Sequence, residues 1–149
     1  MSPRSFLMVG AAALTVLVGI RADVTGALAG GSYVSIEQQG IGNGVGGSQR
    51  GYRNRLTVHQ DGWRNSAVSS QYGGHNRVVI GQRGNRNSAN TYQIGRGNIT
   101  GVAQFGTGHT VVTSQDGNGN AIGVIQAGRN NRASARQIGT GNVSVIVQD

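Results

Sequence analysis

The sequence predicts an all-β fold: a β-solenoid of stacked strand-turn-strand units, built from 11-residue half repeats paired into 22-residue rungs. Three observations carry this. Glutamine recurs at Gln38, Gln49, Gln60, Gln71, Gln82, Gln93, Gln104, Gln115, Gln126, Gln137 and Gln148, a constant spacing of eleven. Two residues after each of the first ten comes Gly40, Gly51, Gly62, Gly73, Gly84, Gly95, Gly106, Gly117, Gly128 or Gly139. Five residues after comes Asn43, Asn54, Asn65, Asn76, Asn87, Asn98, Asn120, Asn131 or Asn142, with His109 as the exception.

Taken in order, the chain first shows FLMVGAAALTVLVGI after Arg4, about fifteen apolar or small residues. That suits the apolar region of a signal peptide and falls short of the roughly 20 residues that span a bilayer. Residues 1–29 are therefore expected to be a signal peptide cleaved after Ala29, in the small-x-small run Ala27-Leu28-Ala29, or alternatively after Ala22. Residues 30–31 form a short N-terminal segment, and 32–149 the repeat region. Its first unit has Ser32 in the Asn place, then Val34, Ile36 and Gln38.

Ten periodic glycines, each costing about 1 kcal/mol inside a helix, exclude the right-handed helical supercoil that an eleven-residue period could otherwise mark. Strands fit. Two and four residues after each Asn place stand pairs such as Leu56/Val58, Val78/Ile80, Thr100/Val102 and Ile122/Val124, with Gln closing the row. Period two puts these on one face, which is expected to be buried. Charge placement agrees: the eleven Arg beyond residue 30 and the acids Glu37, Asp61, Asp116 and Asp149 all avoid that face. Each strand of about seven residues is expected to lead into a turn of four, such as IGRG, where Gly supplies positive φ.

Stacking 22-residue rungs in parallel places Gln38, Gln60, Gln82, Gln104, Gln126 and Gln148 in one ladder and the remaining five in the other. A buried amide without a partner costs about 1 to 3 kcal/mol. In a ladder each amide donates to one neighbour and accepts from the other, so only the ends stay unmet. His109 is expected to break one such row locally, between Asn87 and Asn131, or to weaken stacking when protonated. Arg55 and Arg77, and Arg64 and Arg86, are 22 apart and should stack as like charges, either slowing premature pairing or simply keeping the surface solvated.

Only 36% of the chain is hydrophobic and 27 of its 149 residues are Gly, so a conventional globular core is not expected. A lone chain should be marginal and a stacked assembly very stable, since each added rung satisfies more ladder groups. The terminal run NVSVIVQD keeps the inward pattern and is not a capping unit. All thirteen basic residues are Arg, and the net charge of +8 favours acidic partners such as nucleic acid (extracellular DNA for an exported chain), anionic polysaccharide or a lipid surface, among which charge alone does not choose. Cys is absent, which excludes disulfides, thiolate metal sites and a Cys nucleophile.

The motif Asn-x-Ala/aliphatic-x-x-x-Gln-x-Gly-x-x-Asn, in NRNSANTYQIGRGN and NNRASARQIGTGN, resembles the curlin repeat of bacterial curli subunits across residues 32 to 148. That resemblance implies a secreted functional amyloid forming extracellular, pilus-like fibres of cross-β type for biofilm matrix, adhesion and aggregation. It implies as partners copies of the chain itself, other curlin subunits, and a secretion pore with accessory proteins. Basic charge and Gly-rich turns look like the minor, nucleating subunit; the regular final strand looks like the major one. Family members carry a longer non-repeat segment after the signal peptide, whereas here at most about nine residues, Asp23 to Gly31, precede the first repeat.

Other classes fit less well. A Ca²⁺-binding β-roll needs repeated turn Asp, and only Asp61 and Asp116 lie in turns; an ice-binding solenoid needs outward ranks of Thr. Nucleic-acid binding as the primary role would want aromatics to stack bases, and these are only 5% of the chain. His59, His75 and His109 have no carboxylate or nucleophile at catalytic spacing, so neither an enzyme nor a cofactor or metal site is expected. The alternative function is a secreted β-solenoid module that binds anionic extracellular polymers.

Overall fold

The structure is a computed structural model that describes residues 21–149, with side chains from residue 30 onward. The apolar run 6–20, on which the signal-peptide expectation rests, lies outside the described residues.

Twelve strands are described: β1 (Arg21–Leu28), β2 (Ser32–Ile41), β3 (Gly44–Tyr52), β4 (Arg55–Trp63), β5 (Ser66–Gly74), β6 (Arg77–Asn85), β7 (Ser88–Arg96), β8 (Ile99–Thr107), β9 (Thr110–Asn118), β10 (Ala121–Arg129), β11 (Arg132–Thr140) and β12 (Val143–Gln148). They form two sheets. One has the order β1-β2-β4-β6-β8-β10-β12 and the other β11-β9-β7-β5-β3, so successive repeat strands alternate between sheets. From β2 onward every pairing is parallel with partners 22 residues apart, as in Gln60↔Gln82 and Gln71↔Gln93. This is the expected solenoid of about five turns.

The two inward faces meet in a thin core. Leu56, Val58, Val78, Ile80, Ile122 and Val124 come from one sheet; the small Ala67, Ala89, Ala133 and Ala135 from the other. Large residues thus face small ones, and this lets two sheets with only two apolar positions per strand pack closely. Rung four mixes the pattern, with Thr100 and Val102 facing Val111 and Thr113.

Strands are longer and turns shorter than the seven and four expected. β4 runs nine residues and only Arg64 and Asn65 separate it from β5. The reason is that the arcs stack as well as the strands. Arg55 N–H donates to Asn76 O at 2.8 Å and Arg64 N–H to Ile41 O at 2.9 Å, so backbone pairing between rungs continues around the bend. Glycine two residues after Gln therefore remains inside the ladder. Gly84 has φ 115°, and a Cβ there would overlap the carbonyl oxygen of Gly106 in the next rung. The last turn position before Asn also has positive φ, yet Arg53, Arg64, His75, Arg86 and Asn130 occupy it at φ 52° to 59°. These are left-handed residues outside glycine, a cost of about 1 to 2 kcal/mol each that the stacked turns must offset.

One strand had no counterpart in the expected repeat. β1 pairs antiparallel with β2 along its outer edge, Val24 opposite Ile36 and Leu28 opposite Ser32. Its residues fall within the segment expected to be removed by cleavage after Ala29.

Candidate assembly site

The Gln residues expected to form assembly ladders are brought into two continuous rows. In the first sheet each Gln Nε2 donates to the Oε1 of the Gln one rung on: Gln38 to Gln60 at 2.7 Å, Gln60 to Gln82 at 2.7 Å, Gln82 to Gln104 at 2.8 Å, Gln104 to Gln126 at 3.0 Å and Gln126 to Gln148 at 2.8 Å. In the second sheet Gln49, Gln71, Gln93, Gln115 and Gln137 repeat this at 2.6, 3.0, 2.8 and 3.1 Å. Interior members such as Gln60, Gln71, Gln104 and Gln126 are fully buried.

Each amide has a second N–H, whose partner the repeat pattern does not reveal. Gln60 donates it to Gly44 O, Gln82 to Ser66 O and Gln104 to Ser88 O, each the first residue of a strand in the opposite sheet. The Gln rows thus bind rung to rung along the stack and sheet to sheet across it.

The Asn residues behave differently from the amide-to-amide row expected of them. Asn65 Nδ2 donates to Gly84 O at 2.9 Å and Asp61 O at 3.4 Å, while its Oδ1 accepts the backbone N–H of Asn87 at 3.1 Å. Asn43, Asn54, Asn76, Asn87 and Asn98 make the same kind of contacts. Only at Asn98, Asn120 and Asn142 do side-chain amides also meet each other. The Asn rows therefore clamp the bends, each side chain tying a backbone carbonyl of its own rung and one of the next together with a backbone N–H.

His109 does not break its row. Its ring is fully buried. Nε2 lies 3.1 Å from Phe105 O, where an Asn would place Nδ2, and Nδ1 accepts the Asn131 N–H at 3.3 Å, where an Asn would place Oδ1. One acceptor and one donor on opposite ring edges reproduce most of the amide's pattern, and this arrangement is that of the neutral tautomer with hydrogen on Nε2.

The ends differ from the middle. Gln49 Oε1, at the first position of its row, is buried with no hydrogen-bond partner among the described residues. At the other end Gln137 and Gln148 each donate once, to Ala121 O and Arg132 O, and carry a second N–H beyond which no rung follows among the described residues. Asn142 is exposed, and Ser144, Ile146 and Gln148 of β12 are only half-buried where Ile122, Val124 and Gln126 one rung below are buried.

The outward surface carries its own pairs. Arg55 and Arg77 stand side by side as expected, with Arg55 over the Tyr33 ring at 5.3 Å, while Asp61 pairs with Arg83 at 3.3 Å and Glu37 with His59 at 3.2 Å. The sequence reading did not single out Trp63. It is 62% exposed and, with Ile41, Arg64, Asn85, Arg86 and Thr107, lines a shallow groove along the turns. Their common 22-residue spacing was the available signal. Among the described residues no cluster of potential metal ligands occurs and no helix is long and apolar enough to cross a membrane.

Compared with known families, the sequence matches the profile of the curlin associated repeat three times, over residues 51–84, 84–112 and 110–139. Neither the comparison with curated proteins nor that with solved structures gives a match.

Proposed function

The chain belongs to the curlin repeat family, and from that footing we propose that it is a secreted subunit of curli-like amyloid fibres that self-assembles by in-register stacking of its Gln and Asn rows. Curlins are structural proteins rather than enzymes. One observation carries the reading: both Gln rows run unbroken through every described rung, and at the open edge Gln137 and Gln148 keep an N–H with no partner among the described residues. A row that is unmet only at its ends is completed by another copy.

The residues that do the work are accordingly the Gln rows, the Asn clamps and the glycines that let turns approach. The partners are further copies, other curlin subunits and the curli export machinery, and the setting is the extracellular biofilm matrix, where the fibre serves adhesion and aggregation. Residues 1–29 are the export signal in this reading, removed after Ala29 or Ala22. Purified chain should form fibres with a meridional reflection near ~4.7 Å; fibres without it, or no fibres, would reject the proposal.

A secondary property is favoured by the groove beside Trp63, where an exposed indole is flanked by Arg64 and Arg86. An aromatic face next to guanidinium groups suits bases and phosphates, so the fibre should retain extracellular DNA in a salt-dependent way, with anionic polysaccharide held by charge alone. Retention of single-stranded DNA should fall on Trp63→Ala and vanish at high salt.

A further inference from the structure

The two ends of the solenoid are offset, and the offset decides how copies meet. Consecutive strands step from one sheet to the other, so β12 stands half a rung beyond β11. The open step is therefore opposite β12 and against the free edge of β11. At the other end β2 and β3 lie in opposite sheets, with β2 half a rung ahead of β3.

If the next copy kept the orientation of the first, its β2 would sit on β12. The edge of β11 would then remain bare, and the core face of β12 would lack an opposing strand. Rotating the next copy by half a turn about the fibre axis removes the vacancy: β2 sits on β11, and β3 sits on β12. Because both sheets carry the same eleven-residue motif, either sheet can continue the other.

The register that continues the spacing of 22 then places Gln137 against Gln38 of the next copy and Gln148 against its Gln49. The buried, unpartnered Oε1 of Gln49 thereby receives the spare N–H of Gln148. Asn142 comes against the next copy's Asn43 and Gly139 against its Gly40, two positions where an interior rung has the same residue pairs. Charges agree as well. Asp149 meets Arg50, and Arg136 meets Glu37, whereas the unrotated stack sets Asp149 beside Gln39 and Val147 beside Glu37. Ile146 comes to lie over Gly47, which has no side chain to crowd it.

We infer that successive copies stack with a half-turn about the fibre axis, β2 on the preceding copy's β11 and β3 on its β12, and that β1 must leave the edge of β2 for this to happen. The inference rests on the fibre-subunit reading and adds its geometry. The eleven repeat strands among the described residues make five and a half rungs, an advance of about 26 Å at the usual strand spacing. β1 holds the edge that the neighbour's β11 requires, so release of residues 21–29 by processing would unblock growth.

Introduced cysteines test the register, since the chain has none of its own. Two full-length variants are made, Val147→Cys with Ser48→Cys and Val147→Cys with Glu37→Cys, assembled, oxidised and run without reductant. A covalent ladder from the first pair and monomer from the second is expected. A ladder from the second pair, or from neither although fibres form, overturns the half-turn while leaving the fibre reading intact. Absence of fibres from the unsubstituted chain as well overturns the fibre reading itself.

A charge exchange gives an independent arm. Asp149→Arg or Arg50→Asp alone should raise the monomer concentration left over fibres about two- to fivefold, and the double exchange should restore it; no restoration counts against the pairing. Thr25→Pro, at the middle of β1, should shorten the lag of the full chain; an unchanged lag shows that β1 does not contest the edge and overturns that part.

Discussion

The interior rungs and the last rung carry the same motif and hold it very differently. Gln82, in the middle, is buried, donates to Gln104 and Ser66, and accepts from Gln60. Gln148, at the end, is half-buried and keeps an N–H without a following rung. Gly84 has a carbonyl where its Cβ would go; Gly139, with nearly the same φ, has only the Asn142 amide at 3.5 Å. The difference teaches that the motif is a property of the stack. Its residues are demanded by the rung above, and where no rung follows the demand lapses.

The sharpest way to break this comparison is glycine to alanine. Gly84→Ala forces a methyl into the Gly106 carbonyl and should cost about 4 kcal/mol. Gly139→Ala meets only an ordinary contact with the Asn142 amide and should cost only the backbone strain of positive φ, about 1 to 3 kcal/mol. Denaturant unfolding of both variants checks the pair. Equal losses would mean that glycine is required for its backbone conformation alone and not for close approach. Fibre growth adds a second contrast: if Gly139 receives the next copy's Gly40, the tolerated variant should still fail to elongate.

Amide removal comes next in size. Gln82→Leu takes a partner from three groups, the Gln60 N–H, the Gln104 Oε1 and Ser66 O, the two buried amide groups costing about 1 to 3 kcal/mol each. Gln148→Leu removes the acceptor of the Gln126 N–H and the donor to Arg132 O at a half-buried position of the end rung, and should cost less, about 1 kcal/mol. Thermal unfolding of the monomer separates these. A loss at Gln148 as large as that at Gln82 would show that burial, and not position in the row, sets the cost.

How much of this was legible follows from what period and composition can encode. The spacing of eleven gave the parallel register, the inward pairs and the two Gln rows, because in a solenoid sequence period and spatial period coincide. The second N–H of Gln, reaching Ser66 O or Gly44 O in the opposite sheet, was not legible: it depends on the distance between the sheets. For the same reason Asn65 read as an amide partner and proved to be a backbone clamp. Arg64 and Arg86 in the left-handed region run against residue preference, and stacked turns overrule that preference. β1 lies outside the repeat, and an antiparallel pairing leaves no trace in a parallel period.

His109 gives the smallest expected effect and the finest test of the comparison. An interior Asn such as Asn87 uses two donors and one acceptor: Nδ2 to Arg83 O and Gly106 O, with Oδ1 receiving the next N–H. The imidazole matches one donor and the acceptor but has no second donor for Gly128 O, the carbonyl nineteen residues on that Asn would reach. His109→Asn should therefore gain one hydrogen bond and stabilise the chain by about 0.5 to 1.5 kcal/mol. It also exchanges a larger ring for a smaller amide in a fully buried place, a loss of contact that acts the other way. Around Gly128 the stack is more open than at Gly106, since a Cβ there would meet only the Asp149 backbone at 3.6 Å. If the gain appears in the monomer, the row is worth restoring even one rung from the end. If stability is unchanged in the monomer and rises only in fibres, the Asn clamp acts where a rung follows, which is the distinction drawn between the middle and the end.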